Sequence, residues 1–294
     1  MKRSKKLRRW ILIFAFLIVL LLVLGAAAYA SMFDHRVQTP AAQSYHESQF
    51  AGLHSKEIPF CNQDGITLAG RLYAAEGKNA TALVVVAHGM GFGHRAYLNV
   101  IAAFANHGYL VFAYDATGYD DSAGSSTVGV MQVVLDLDAA IKAAEALPEA
   151  AGLPVCLFGH SMGGYAVCAV LPEHPEVRAV AALAGFDSSV AWIRARFGLP
   201  GALLIPGAAL WERIRFGSAA GRSATEGMER SDAKLLIVHS SDDDTVPIFC
   251  GLERYAARFG ADPRFTFLRL ERGGHGAIFG GTVTTACFAL FDAE

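Results

Sequence analysis

Followed by its apolar and polar positions, the 294-residue chain begins with one unbroken apolar run and then settles into short alternations. Trp10 to Ala30 carries no charge. As a helix it is long enough to cross the roughly 30 Å hydrocarbon core of a bilayer. Residues 31–55 have no clear period and read as a tether. From residue 56 onward the pattern is that of one large domain. Glu57–Cys61 and Ile66–Tyr73, around the turn Asn62-Gln63-Asp64-Gly65, predict two strands. Thr81–Ala87 is a dense apolar run suited to a strand buried on both faces. Tyr97–Asn106 has helical spacing and stops at Gly108. Strands are expected at Leu110–Tyr114, Pro154–Phe158, Val177–Ala184, Leu235–His239 and Phe265–Leu270. Helices are expected at Val130–Leu147, Met162–Leu171, Ile248–Phe259 and Ala277–Phe291. Such alternation implies an α/β fold, a mostly parallel central sheet flanked by helices. Residues 187–231 interrupt it. They are too long for an ordinary loop and rich in apolar side chains, so they predict a cap of two or three short helices over the strand ends.

Charge refines the reading of the first residues. Six of the 25 basic residues, Lys2, Arg3, Lys5, Lys6, Arg8 and Arg9, precede the first acidic one, leaving 19 basic against 27 acidic in the remainder. Residues 1–9 form a basic head, and 10–30 allow two readings. As an uncleaved anchor, the run would hold the head in the cytoplasm and the domain outside. As a signal sequence, it would be removed after Ala28-Tyr29-Ala30, which has the small-x-small form of a cleavage site. Both readings export the domain. Its acidic balance argues against nucleic acid as a partner. The five cysteines, 61, 156, 168, 250 and 287, are scattered and show no metal-ligand spacing, so no zinc site is indicated, while one disulfide remains open.

The chemistry gathers around Gly159-His160-Ser161-Met162-Gly163, a G-x-S-x-G stretch between a strand and a helix. A sharp turn there exposes the serine hydroxyl, and the following helix aims backbone N–H groups at the site. The hydroxyl needs a base to take its proton. Gly273-Gly274-His275-Gly276 follows the last predicted strand and supplies one, making His275 the candidate. Asp242-Asp243-Asp244 lies between, in the order serine, acid, histidine. His88-Gly89-Met90-Gly91 follows the Thr81–Ala87 strand and suits an oxyanion loop. Met90 and Met162 are therefore the candidate amide donors. His88, His94 and His160 read as structural. Asp115-Ala-Thr-Gly118-Tyr-Asp-Asp-Ser122-Ala-Gly124 is a further motif, also read as structural.

These motifs, in this order, resemble those of the α/β-hydrolases, in the group of monoacylglycerol lipases, lysophospholipases and S33 serine aminopeptidases. The resemblance covers residues 56–294, with the cap insertion at about 187–231. Within the family pattern H-G-x-x-D-x-x-V-P the acid stands four residues before the proline, which selects Asp243; Asp242 is the alternative. Ser240 stands in place of the pattern's glycine. In the Asp115 loop, Thr117 replaces an arginine and Asp120 a glycine. The resemblance implies hydrolysis through an acyl-enzyme with neither metal nor organic cofactor. The expected substrate is a small-molecule ester, lipid-like or of medium acyl length, since the apolar run brings the site near lipid. An S33-type peptidase shares the motifs, and Glu212, Glu226 and Glu229 are candidates for holding a substrate amine. A thioesterase is a further reading, and so is a catalytically silent binding protein on the same fold.

Overall fold

A computed structural model describes residues 2–276 and 279–293. The chain starts with helix α1 (Lys2–Phe33) and continues through strands β1 (Leu53–Glu57), β2 (Phe60–Cys61), β3 (Thr67–Leu68) and β4 (Gly70–Ala75). Then come β5 (Leu83–Ala87), α2 (Leu98–His107), β6 (Leu110–Tyr114) and α3 (Gln132–Glu145). The motif region holds β7 (Val155–His160), α4 (Met162–Ala169) and β8 (Val177–Leu183). Helices α5 (Ser189–Phe216) and α6 (Ala224–Glu229) form the insertion. The chain closes with β9 (Lys234–Ser240), α7 (Leu252–Phe259), β10 (Phe265–Leu270) and α8 (Gly281–Phe291). Of the expected last helix, Ala277 and Ile278 lie outside the described residues.

Eight strands form one sheet in the order β1-β4-β6-β5-β7-β8-β9-β10. β1, β4 and β6 pair antiparallel, and from β6 to β10 every pairing is parallel. β5 is buried at every position because both faces are covered. Alternation divides its side chains: Leu83, Val85 and Ala87 face one core layer, Val84 and Val86 the other. Val133, Val134, Leu137, Ile141 and Ala144 give α3 an apolar stripe at helical spacing for the first layer. α2 and α8 cover the second. Gly108 ends α2 at φ 113°, where its N–H caps the carbonyls of Phe104 and Ala105.

The insertion differs from the expected short helices. α5 is one 28-residue element with a kink at Gly198 (φ 58°, ψ −141°). Pro200 falls in the first turn of the second arm, where its missing N–H would be unpaired in any case. The stretch expected as a tether is instead laid against the body. Arg36 donates to the carbonyls of Asp120 and Ser122, both at 2.9 Å. Thr39 donates to the Asp120 carboxylate through its N–H and its hydroxyl, each at 2.6 Å. Asp120, which stands where the resembled motif has glycine, is thus the anchor point of this segment. No disulfide joins the five cysteines; Cys61 is exposed and the other four are buried.

Candidate active site

Parallel strands deliver the candidate residues to one edge of the sheet. The loops after β5, β7, β9 and β10 carry His88–Met90, Ser161, Asp243 and His275 in turn. β5 lies between β6 and β7, so the chain departs to opposite sides of it, the kind of switch point where open α/β sheets form crevices. Ser161 turns the chain from β7 into α4 at φ 56° and ψ −117°, a conformation that costs a residue with a β-carbon. The Ser161 N–H donates to the Leu183 carbonyl at 2.8 Å, and the Ser161 carbonyl accepts from the Tyr165 N–H at 3.0 Å. The flanking glycines make room. A Cβ at Gly159 would collide with the carbonyl of Gly163, and one at Gly163 with that of Ala87.

Three side chains meet in a line. The Ser161 hydroxyl is 2.9 Å from His275 Nε2, and His275 Nδ1 is 2.8 Å from Asp243 Oδ2. The second Asp243 oxygen accepts the N–H groups of Thr245 and Val246 at 3.0 and 2.8 Å. Burial alone would raise the Asp243 pKa, but hydrogen bonds from His239, His275 and the Val246 amide outweigh it and hold the carboxyl well below the usual range. Asp243 is therefore ionised and aimed at the imidazole.

Asp242, the alternative acid, has a distinct task. It accepts the amides of Gly273 and Gly274 at 3.1 and 2.8 Å and the Ser240 hydroxyl at 2.6 Å. Those bonds lower its pKa to about 2, the Ser240 hydroxyl contributing most. Ser240, in place of the resembled pattern's glycine, thus supports the carboxylate that pins the loop before His275.

A second connection runs through residues read as structural. The Gly89 N–H donates to the Tyr97 oxygen, and the Tyr97 hydroxyl donates to His160 Nδ1, both at 2.8 Å. His160 Nε2 then donates to the His275 carbonyl at 3.0 Å. Burial first, and the neighbouring His275 second, push the His160 pKa down to about 3, so the ring is neutral as these bonds require. His88 and His94 brace their loops as expected. His88 accepts the Ala116 N–H at 2.9 Å, and His94 Nδ1 lies 2.7 Å from Asp115. Met162 opens α4, where the first amides have no helical partner. The Met90 loop touches the same point: a Cβ on Gly89 would stand 3.2 Å from the Ser161 Cβ.

Beside His275 opens a cleft of about 410 Å³ lined by Tyr45, Phe92, Tyr97, His160 and Phe279 among others. Sequence reasoning did not foresee the part played here by residues 42–45, because no local pattern ties them to a site far along the chain. No residue of the insertion lines this cleft among the described residues. None of the candidate amine ligands lines the cleft. Glu212 is buried and accepts from Tyr29 and Ser189, Glu229 pairs with Arg258, and Glu226 is exposed on α6. Among the described residues, Glu145, His174 and Glu176 form a group able to hold a metal ion, but none of the three lines the cleft.

The parallel sheet, the strained serine turn and the order of its loops decide the architecture. The chain has the α/β-hydrolase fold. Residues 78–200 match the family model of serine aminopeptidase, S33. Among solved structures the chain is similar to a Pyrococcus furiosus esterase (TM-score 0.68, 16% identity, covering 89% of this chain and 96% of that one). It is also similar to acetyl xylan esterase 1 of a Thermoanaerobacterium species (TM-score 0.60, 16% identity, covering 82% and 84%). An acylaminoacyl peptidase of Pyrococcus horikoshii is similar over 84% of this chain and 42% of its own (TM-score 0.62, 17% identity). No curated protein matches the chain in sequence.

Proposed function

We propose that the protein is a serine hydrolase that cleaves carboxylic esters of lipid-like or medium acyl length, held at a membrane by α1 with the domain outside the cytoplasm. The observation that carries the reading is the line Ser161–His275–Asp243 at 2.9 and 2.8 Å. Ser161 Oγ attacks the ester carbonyl as its proton moves to His275 Nε2. Asp243 fixes the imidazole tautomer and stabilises the cation that forms. The amides of Met90 and Met162 receive the oxyanion. His275 returns the proton to the departing alcohol. It then deprotonates the water that opens the acyl-enzyme, and Ser161 is restored.

An ester with an apolar acyl group is favoured over a peptide with a free amine by the lining of the cleft. Aromatic and small side chains dominate it, and none of its described residues is a carboxylate. An aminopeptidase site would need a buried or partly buried acid to pair with the substrate ammonium.

The test uses the full chain in detergent, wild type beside Ser161→Ala, on p-nitrophenyl esters of graded acyl length with aminoacyl p-nitroanilides in parallel. The expected outcome is ester turnover with a chain-length optimum, abolished by the substitution. Anilide turnover without ester preference would move the protein to the peptidases, and ester turnover retained by Ser161→Ala would refute the mechanism.

A further inference from the structure

α1 is longer than the part of it that stands clear of the body. Its apolar residues from Ile11 to Leu24 stand mostly free of the body, as the exposure of Phe14, Leu17, Val19 and Val23 makes plain. As a helix that stretch reaches only about 21 Å, short of the roughly 30 Å hydrocarbon core. Lys6, Arg8 and Arg9 close off extension at one end. The remaining length must come from Gly25 to Ala30, and these residues are packed against α5. Gly25 and Gly207 meet backbone to backbone: a Cβ at Gly25 would strike the carbonyl of Leu204, and one at Gly207 the carbonyl of Leu22. Tyr29, 3% exposed, donates to the buried Glu212 at 2.5 Å and accepts the Val130 N–H at 3.2 Å. Phe33, 2% exposed, is part of the core. The last turns of α1 are thus built into the protein, and whatever lies beside them lies at the same depth.

What lies beside them is the second arm of α5. It carries Leu199, Leu203, Leu210 and Ile214 exposed to between 44% and 77%. Their spacings of four, seven and four residues put them within one narrow helical stripe. Small and apolar residues, Gly201, Leu204 and Ala208, turn the opposite side toward α1 across an apolar seam that borders an open groove of about 340 Å³. No charge occurs from Phe197 to Trp211, while Arg194 and Arg196 precede this stretch and Arg213 and Arg215 follow it. At about 22 Å it is too short to cross a bilayer, and its single exposed stripe suits an element lying within one leaflet. The flanking arginines suit the phosphate layer.

We infer that the uncharged stretch Phe197–Trp211 is seated in the leaflet on the side of the catalytic domain, so that α1 and the second arm of α5 enter the membrane as one packed pair. This rests on the reading of α1 as a membrane span and deepens it. The occupant of the exposed stripe is the bilayer itself, and Tyr29 and Phe33 stay with the domain because the cap is built on them.

The experiment uses the full chain with Cys61→Ser to remove the exposed thiol, reconstituted in vesicles of phosphatidylcholine and phosphatidylglycerol. Single nitroxide labels are attached at Leu203→Cys, Leu210→Cys, Val19→Cys and Ala261→Cys, all exposed positions. Collision with oxygen, which partitions into lipid, is compared with collision with an aqueous nickel chelate. The inference predicts that labels 203 and 210 match the oxygen-favoured ratio of 19, while 261 is nickel-favoured. Labels 203 and 210 matching 261 while 19 remains in lipid would overturn it and leave the anchor intact. Label 19 in water as well would overturn the anchor with it.

Discussion

A serine hydroxyl becomes a useful nucleophile only when its proton has a destination and the recipient is kept in one tautomer; in the mechanism proposed, Asp243 meets the second condition and Asp242 holds the loop that carries the imidazole. Asp243 grips the imidazole itself, whereas Asp242 grips the two glycine amides just before it. Asp243→Asn is expected to lower kcat by about 10⁴, the cost of presenting the wrong tautomer. Asp242→Asn should cost far less, since the imidazole keeps its own partner. Steady-state kinetics of the two variants on one ester checks this, and a larger loss at 242 would reverse the assignment. Ser161 and His275 were legible because strand, glycine and reactive side chain sit within a few residues of each other. Separating Asp243 from its neighbours needed the family pattern, since three adjacent carboxylates are equivalent to any local rule. The Tyr97–His160 contact was not legible at all: it joins residues 63 apart in sequence and exists only once two loops have packed.

Between elements, His160 joins the ends of β5, β7 and β10 to the residue that precedes α2. Its ring is held neutral, with the pKa moved from 6.5 to about 3. An unfolded chain takes up a proton on this residue below about pH 6.5, while the folded chain does not until about pH 3. The contribution of the neutral ring to stability is therefore complete above the unfolded value and declines as pH falls between the two. The melting temperature of the wild type, measured beside that of His160→Gln from about pH 7 to about pH 4, should show its advantage shrinking toward acid. An advantage that stays constant would mean that the ring is not held neutral. Most strands were legible because their apolar runs are short and dense; Leu110–Tyr114 and Phe265–Leu270 match their expected bounds. The insertion was less so. Two or three short helices were expected there, yet α5 runs as one long helix with a single kink at Gly198 and Pro200 in the turn that follows. The docking of residues 36–39, within the stretch expected as a tether, has no local signal because their partners, the carbonyls and carboxylate of the Asp120 loop, are remote in sequence.

For the whole molecule, an acidic domain on a sheet with both faces covered carries its reactive loops at one edge, with an apolar helix docked at its cap. The fold is set by burial, and many chemistries share it, so function must be argued from the loops. The most direct test of the account is covalent labelling. The full chain would be treated with a fluorophosphonate and the modified peptide identified by mass spectrometry, with Ser161→Ala and His275→Ala in parallel and circular dichroism to verify folding. The account predicts a single adduct on Ser161, absent from the first variant and strongly slowed in the second. A folded wild-type protein that takes up no label, or takes it up on another residue, would contradict it.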